Sequence, residues 1–299
     1  MLVEDWRPKL YCKGVECQNL SPNKKVFFIE DSHRYFHEED ALPDGTIRNF
    51  YKSKFQFRSP TGILADFKEK FDAEFQAKKY VKKHGLAITW EQQMQQWADK
   101  GKAASDEGTI LHAYAESLWN NWAMPRPTLG KAAFVDEMHR ELSGRFKLAK
   151  TELLVYSTKL RLAGQVDLLL TNEDKSAYSI MDYKFLKKPL EKKSFYNPRT
   201  RKYKMMSGPF KMLHDCNYNH YSIQMEIYRY LMGKTGEKVI GKTLIVVTPT
   251  EVIYEPGIDI KIFPSCSIHI PGAVPKRLVK IVALEGTNAC VLLDSSNGF

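Results

Sequence analysis

The sequence lacks long hydrophobic runs. In its 299 residues no apolar stretch approaches the roughly 18 residues that cross a bilayer. The first ten residues, MLVEDWRPKL, lack the apolar centre of a secretion signal. We therefore expect a cytoplasmic protein with no membrane partner. Hydrophobic residues make up 43% of the chain, which is enough to bury one large core or two smaller ones.

Cysteine is also scarce. The five cysteines are Cys12, Cys17, Cys216, Cys266 and Cys290, and none forms a Cys-x-x-Cys pair. An odd, dispersed set fits neither a disulfide framework nor a standard zinc site. We predict free thiols.

Acidic residues are outnumbered by basic ones, 35 to 45, so the net charge is +10 and the pI is near 9.2. This balance favours a polyanionic partner such as nucleic acid. Between residues 183 and 211 ten Lys or Arg accompany one acid, with aromatic residues interleaved. Cations neutralise phosphates and rings stack on unpaired bases, although a solvated loop would have a similar composition. The residues predicted to contact DNA are Lys187, Lys188, Lys192, Lys193, Arg199, Arg201, Lys202, Tyr203 and Lys204.

Hydrophobic periodicity and turn residues predict the order of elements. Residues 25–37 form a hairpin, and one helix opened by Ser59 and Pro60 runs to about residue 83, followed by helical segments to residue 122. Three strands span residues 151–185, a polar, basic insertion covers residues 186–220, and a helix ends at Gly233 before a further strand. The predicted divisions are an N-terminal hairpin and helical region (1–100), a core (101–250) and a β-rich extension (251–299).

The segment SIMDYKFLKK places an acid and a base on one strand. Asp182 and Lys184 are two residues apart, so their side chains point to the same face. Asp167 lies inside the apolar run QVDLLL, where a buried carboxylate requires a partner or a metal ion. Together the two acids could hold a divalent cation while the ammonium faces the attacking water or the scissile phosphate. The alternative is a surface ion pair at a strand end.

Four segments in order carry a family resemblance: GTILHAYAE, AGQVDLLL, IMDYK and QMEIY. They resemble the RecB-type branch of the PD-(D/E)xK nuclease superfamily, over roughly residues 25 to 245. The segment KMMSGPFKMLHDCNYNHYSIQ is similar to nucleases carried in bacteriophage genomes. The resemblance implies an α/β fold with a mixed central β-sheet flanked by helices, to which the N-terminal hairpin and helices and a β-rich C-terminal tail are added.

The resemblance also implies roles for individual residues. His112, Asp167, Asp182 and the backbone carbonyl of Tyr183 would bind one or two Mg²⁺ or Mn²⁺ ions. Lys184 would be the catalytic lysine, and Gln224 and Tyr228 would orient the active site and contact DNA. Two further acids have open alternatives. Glu116 is a hydrogen-bond acceptor for His112 or a solvent-facing charge, and Glu152 reaches the metal through water or is an ordinary strand-end acid.

Two other cofactors are not expected. Some RecB-type nucleases hold an iron–sulfur cluster, but the five cysteines here are too dispersed for one. Residues 236–243, GEKVIGKT, match the phosphate-loop pattern, yet a working loop follows a strand and opens a helix, and here the predicted order is reversed. We predict no ATP binding.

The expected function is metal-dependent hydrolysis of DNA phosphodiester bonds. The insertion could fold over the site and hold an unpaired strand, which favours an exonuclease on linear or single-stranded DNA. A role in phage recombination, repair or packaging, with the corresponding phage proteins as partners, is implied by the resemblance alone. A non-catalytic DNA-binding or assembly protein, an endonuclease and an RNA-directed nuclease are the alternatives.

Overall fold

A computed structural model describes residues 10–13, 15–30, 32–48, 50, 56–233, 238–258, 260–262 and 281–283. The strands are β1 (Leu10–Cys12), β2 (Val15–Cys17), β3 (Asn19–Leu20), β4 (Val26–Ile29), β5 (Arg34–His37), β6 (Lys147–Ser157), β7 (Leu162–Thr171), β8 (Tyr178–Phe185), β9 (Tyr196–Asn197), β10 (Lys202–Tyr203), β11 (Val239–Val247), β12 (Val252–Pro256), β13 (Ile260–Ile262) and β14 (Ile281–Ala283). The helices are α1 (Pro60–Leu64), α2 (Ala73–His84), α3 (Trp90–Asn120), α4 (Ala132–Ser143) and α5 (Asn217–Gly233).

The centre of the fold is a five-stranded mixed sheet of order β12-β11-β8-β7-β6. The three predicted strands form the antiparallel meander β6–β7–β8, whereas β11 runs parallel to β8 and is reached through the basic insertion and α5. Helices α3 and α4 pack on one face, and α1 and α5 pack on the other. The predicted fold class, a mixed sheet flanked by helices, is confirmed.

Side-chain periodicity explains these layers. On β8, Ile180 belongs to the α5-side core while Met181 belongs to the α3-side core, as alternation along a strand requires. On α3, Leu111, Ala115 and Trp119 follow one apolar stripe that is buried against the sheet. The insertion ends earlier than predicted, because α5 begins at Asn217.

The single helix predicted from Ser59 to about residue 83 is wrong. Ser59 does cap α1, since its hydroxyl accepts a hydrogen bond from Gly62 N–H at 3.0 Å, but α1 ends at Leu64. A short 3₁₀ turn then carries Phe67 into the core, where its ring centroid lies 5.2 Å from that of Phe210. This long-range contact overrides the local helical pattern, and a new helix, α2, begins at Ala73.

The N-terminal hairpin β4–β5 forms as predicted and packs on the central sheet. Phe28, Tyr35 and Phe57 share one apolar cluster with Leu154 of β6 and Ala163 of β7. The predicted boundary at residue 100 falls inside α3. Of the predicted C-terminal extension the structure describes residues 251–258, 260–262 and 281–283, which include β12 and the β13–β14 pair.

Cys12, Cys17 and Cys216 are free thiols, and Cys266 and Cys290 lie outside the described residues. Within the described part of the chain, no helix is both long and apolar enough to cross a membrane.

Candidate metal centre and catalytic site

Three carboxylates occupy one row across the central sheet. The β6–β7 pairs on either side, Thr151 with Leu168 and Leu153 with Val166, place Glu152 opposite Asp167. The β7–β8 register, continued one rung past its last pair, sets Asp167 opposite Asp182. Like charges directly opposite each other destabilise a sheet. The row therefore concentrates negative charge at a place where cations are stabilising.

Asp167 lies where β7 and β8 separate. The last pair of that ladder is Leu168 with Met181, and beyond it the Asp167 carboxylate enters the gap between the strands. Its Oδ2 accepts a hydrogen bond from the backbone N–H of Tyr183 at 2.8 Å. This bond anchors the carboxylate at the point of separation.

Glu152 and His112 approach Asp167 from two sides. Nδ1 of His112, on α3, lies 3.5 Å from Oδ2 of Asp167. One potential ligand atom from each of the three residues lies within 4.8 Å of the other two. An imidazole and two carboxylates form a donor set that suits divalent cations. The structure thus groups Glu152, rather than Asp182, most tightly with His112 and Asp167.

Asp182 and Lys184 form a buried ion pair beside this group. Asp182 is only 1% exposed, and its Oδ1 has no hydrogen-bond partner among the described residues. The ammonium of Lys184 also lies 4.8 Å from the ring centroid of Tyr221 on α5. Burial of the pair excludes the alternative of a surface ion pair.

The pKa values reflect this burial. Burial raises the pKa of Asp182 to about 6, against the opposing effect of Lys184, and it also raises the pKa of Asp167. Burial alone would lower the pKa of Lys184, but Asp182 and Asp167 outweigh it and hold that pKa above its usual value. Lys184 therefore stays positively charged, and the carboxyl groups of Asp182 and Asp167 bind protons more readily than usual.

Helix α5 places the predicted pair Gln224 and Tyr228 next to the site. The Gln224 amide donates a hydrogen bond to the Tyr228 hydroxyl oxygen at 2.7 Å, and the Tyr228 ring is buried. A Cβ atom on Gly164 of β7 would lie 2.5 Å from Cε1 of Tyr228. The glycine three residues before Asp167 thus leaves the space that Tyr228 fills.

A hydrogen-bond relay connects the N-terminal hairpin to Glu152. The Tyr35 hydroxyl donates to Oε1 of Gln165 at 3.3 Å, and the Gln165 amide donates to Oε2 of Glu152 at 3.3 Å. The Asn19 amide donates to the backbone carbonyl of Glu152. The N-terminal region thereby orients a carboxylate of the candidate metal centre.

A cavity of about 350 Å³ opens over the three residues. Its walls come from α3, β6, β7, α5 and the N-terminal hairpin region. The hairpin region contributes Gln18, Phe28, Glu30, His33 and Tyr35. A substrate in this cavity would contact both the N-terminal region and the sheet.

Some cations of the basic insertion form ion pairs and others do not. Lys188, Lys192 and Lys204 form ion pairs with Glu191, Glu255 and Asp215, respectively. Among the described residues, Lys187, Lys193, Arg199, Arg201 and Lys202 make no ion pair. Tyr203 is exposed, and its ring centroid lies 5.1 Å from that of Tyr196. The DNA-contact role of all nine predicted residues stays a prediction, for which the unpaired cations are the stronger candidates.

The structure decides the environment of two further charged residues. Glu116 is 7% exposed, so the alternative of a solvent-facing charge is wrong, while its role beside His112 stays a prediction. Lys242 of the phosphate-loop pattern lies within β11, where its ammonium donates to the Glu226 carboxylate and to the Ile258 carbonyl. This lysine supports the packing of α5 on the sheet.

Sequence reasoning missed Asn19, Tyr35, Gln165 and Tyr221. Gln165 lies two residues before Asp167 on the same strand, and Tyr221 lies three residues before Gln224 on the same helix, so periodicity could have identified both. Asn19 and Tyr35 reach the site only through tertiary packing, for which the sequence carries no local signal. The ligand role of the Tyr183 carbonyl stays a prediction.

The fold and the site together define an α/β protein with a candidate metal centre where two strands of a mixed sheet separate. The model of the PD-(D/E)XK nuclease superfamily matches residues 91–261. Because this match covers more than half of the chain, the protein belongs to the PD-(D/E)XK nuclease superfamily. A comparison with curated proteins found no match.

Proposed function

We propose that the protein is a metal-dependent nuclease that hydrolyses phosphodiester bonds in DNA. The observation that carries this proposal is the row of Glu152, Asp167 and Asp182 with Lys184 beside it, at the point where β7 and β8 separate. Family membership gives the reaction class, and the order of the four sequence segments favours the RecB-type branch. A role in phage DNA metabolism is part of the same proposal.

The residues present fit a divalent cation. The carboxylates of Glu152 and Asp167 lie beside the imidazole of His112, and hard oxygen donors suit Mg²⁺ or Mn²⁺. His112, Glu152 and Asp167 would hold the ion, and the carboxylate of Asp182 would complete the set. A bound ion supplies charge neutralisation at the scissile phosphate and acidifies a water molecule.

Lys184 stabilises negative charge in this proposal. Asp182 and Asp167 keep its ammonium protonated, so it can donate a hydrogen bond to the attacking water or to a phosphate oxygen whose charge grows in the transition state. Gln224 and Tyr228, which both lie on α5, orient the DNA strand in this proposal. The unpaired cations of the basic insertion neutralise the flanking phosphates.

The first prediction separates chemistry from binding. Lys184→Ala removes a cation that acts mainly in the transition state, so turnover should fall by about two orders of magnitude or more while DNA affinity changes little. Cleavage of a labelled oligonucleotide with Mn²⁺ measures turnover, and anisotropy measures affinity. Lys159→Ala, in the turn between β6 and β7, is the control and should cleave like the parent. Equal cleavage by both variants would remove Lys184 from the mechanism, and no cleavage by the parent would favour a non-catalytic protein.

The mode of attack needs a separate experiment. We propose an exonuclease, because the aromatic residues of the insertion can hold an unpaired strand near the site. Linear duplex, end-blocked duplex and covalently closed circles are compared under identical Mn²⁺ conditions. Preferential loss of the free-ended substrate supports the proposal, whereas equal cutting of closed circles contradicts it and leaves the metal centre unaffected. An RNA strand of the same sequence tests whether the enzyme distinguishes deoxyribose from ribose.

A further inference from the structure

Residues 71–105 form an arm of two helices, α2 and the first half of α3. The structure describes all of these residues, and only Ala77 and Gln93 are buried. The arm has almost no core, yet it carries large apolar side chains on its surface. Phe71 is 70% exposed and Phe75 is 58% exposed. Exposed apolar patches of this kind mark interaction surfaces.

Exposed apolar side chains are concentrated on the arm and on the basic insertion. Nine of the eleven large hydrophobic side chains that the described residues expose belong to these two segments. They are Phe71, Phe75, Tyr80 and Leu86 on the arm, and Phe195, Tyr196, Tyr203, Met205 and Met212 on the insertion. This distribution indicates one shared surface rather than scattered exposure.

Contacts at residues 67–69 join the two segments. The Ser207 N–H of the insertion donates to the Phe67 carbonyl at 2.9 Å, and Lys204 lies 3.5 Å from Glu69. The chain runs directly from Glu69 to Phe71 and into α2. Because the insertion begins just after Lys184, a continuous surface leads from the catalytic site across the insertion to the arm.

Charge on the arm identifies the kind of partner. Phe75, Lys79 and Lys82 follow one stripe of α2 at helical spacing, and Lys83 lies beside it. Within the described residues none of these three lysines forms an ion pair. Cations that alternate with exposed rings suit a polyanion with accessible bases, since the phosphates bind the cations and the bases stack on the rings.

We propose that the arm binds the single-stranded part of the substrate that extends away from the active site. The inference rests on the proposed function and adds a second contact region to it. Helix α2 has 12 residues and is therefore about 18 Å long, which is room for a few nucleotides. A strand must be long enough to cross the insertion before it reaches the arm.

The test compares two triple variants with Mn²⁺ in the Lys184→Ala background, in which cleavage is expected to be slow. The arm variant is Phe75→Ala, Lys79→Ala and Lys82→Ala. The control variant carries Ile240→Ala, Arg140→Ala and Lys159→Ala. It also removes one exposed apolar side chain and two cations, at sites away from the arm. Anisotropy measures the affinity of each protein for labelled oligothymidines of about 6 and about 20 nucleotides, lengths chosen within and beyond typical single-strand sites.

We expect the arm variant to bind the longer strand at least about tenfold more weakly than the control does. Its log–log salt slope should flatten by about 1.4, because two phosphate contacts are lost. Affinity for the short strand should not change. Equal affinity of both variants for the longer strand would overturn the inference, and so would equal weakening on a blunt duplex, which would show that the arm grips paired DNA. If the parent background binds no nucleic acid of either length, the proposed function fails and the arm has no role in it.

Discussion

Glu152 combines an unfavourable backbone conformation with an unfavourable neighbour. Its φ of 44° lies in the left-handed region, which costs a non-glycine residue about 1 kcal/mol or more. Its side chain also faces the carboxylate of Asp167 across the ladder. Asn19 and Gln165 hold the residue in this arrangement from two sides. Local strain and adjacent like charges are typical of a residue kept for function.

The relay to Glu152 predicts an effect on metal affinity. Gln165→Ala removes the amide that orients the Glu152 carboxylate, so Mn²⁺ affinity should fall about 10- to 100-fold. Tyr35→Phe should cause a smaller loss, because Gln165 keeps its bond to Glu152. Isothermal titration calorimetry measures both affinities.

Tyr156→Phe is the matched control for the relay. It also removes one tyrosine hydroxyl between the N-terminal region and the sheet, in this case the hydroxyl that binds Asn23 at 2.7 Å. Its Mn²⁺ affinity should equal that of the parent. If Gln165→Ala also binds Mn²⁺ like the parent, the relay has no positioning role.

The carboxylate pKa values predict a pH dependence of metal binding. The pKa of Asp182 is raised to about 6 by burial, so the carboxyl group is largely protonated below that pH and a proton competes with the ion. Mn²⁺ affinity should therefore increase as the pH rises from about 5 to about 7.5. Asp182→Asn removes the titrating group, and calorimetry should then show a weaker and flatter dependence. A parent affinity that is constant across this window would contradict the assignment of Asp182 to the metal centre.

At the scale of elements, local patterns predicted the meander and α5 but not the path between α1 and α2. Alternation along β6, β7 and β8 is a property of neighbouring residues, and the sequence carries it directly. The break after Leu64 depends on Phe67 meeting Phe210, which is far away in the sequence. The same distinction between local and long-range signals applies to the residues of the candidate site. Asp182 and Lys184 were predictable from their spacing, whereas the position of Glu152 opposite Asp167 depends on a register that the sequence does not reveal.

The contact between α5 and β11 depends on a buried ion pair. Glu226 of α5 is fully buried, and Lys242 of β11 binds its carboxylate. Lys242→Met leaves that charge partly uncompensated and should lower the free energy of unfolding by about 3 kcal/mol, the low end for broken buried pairs, because Arg229 retains its contact with Glu226. Urea denaturation monitored by circular dichroism measures the loss.

The double variant Glu226→Leu with Lys242→Met provides the comparison. It removes both charges, and apolar replacement of a whole buried pair is often neutral. It should therefore be more stable than Lys242→Met alone. If the double variant is less stable than Lys242→Met, the Glu226 carboxylate stabilises the fold through Arg229 even without Lys242.

At the scale of the whole molecule, the site depends on residues that lie far apart in the chain. The superfamily match begins at residue 91, but Asn19 and Tyr35 precede it and reach Glu152 across the sheet. The cavity takes one wall from the same N-terminal region. Metal binding and the docking of the N-terminal region on the sheet should therefore be coupled, since both act on Glu152.

This arrangement predicts that metal stabilises the whole fold. The three opposed carboxylates repel one another in the metal-free protein, and an ion that binds only the folded state adds about 2.7 kcal/mol at a concentration of 100 times its Kd. Mn²⁺ should then raise the Tm by about 4 °C, and EDTA should reverse the shift. Asp167→Ala removes the central carboxylate of the row, so its Tm should not respond to Mn²⁺. Differential scanning calorimetry measures both proteins, and an equal Mn²⁺ response in the variant would place the ion elsewhere in the molecule.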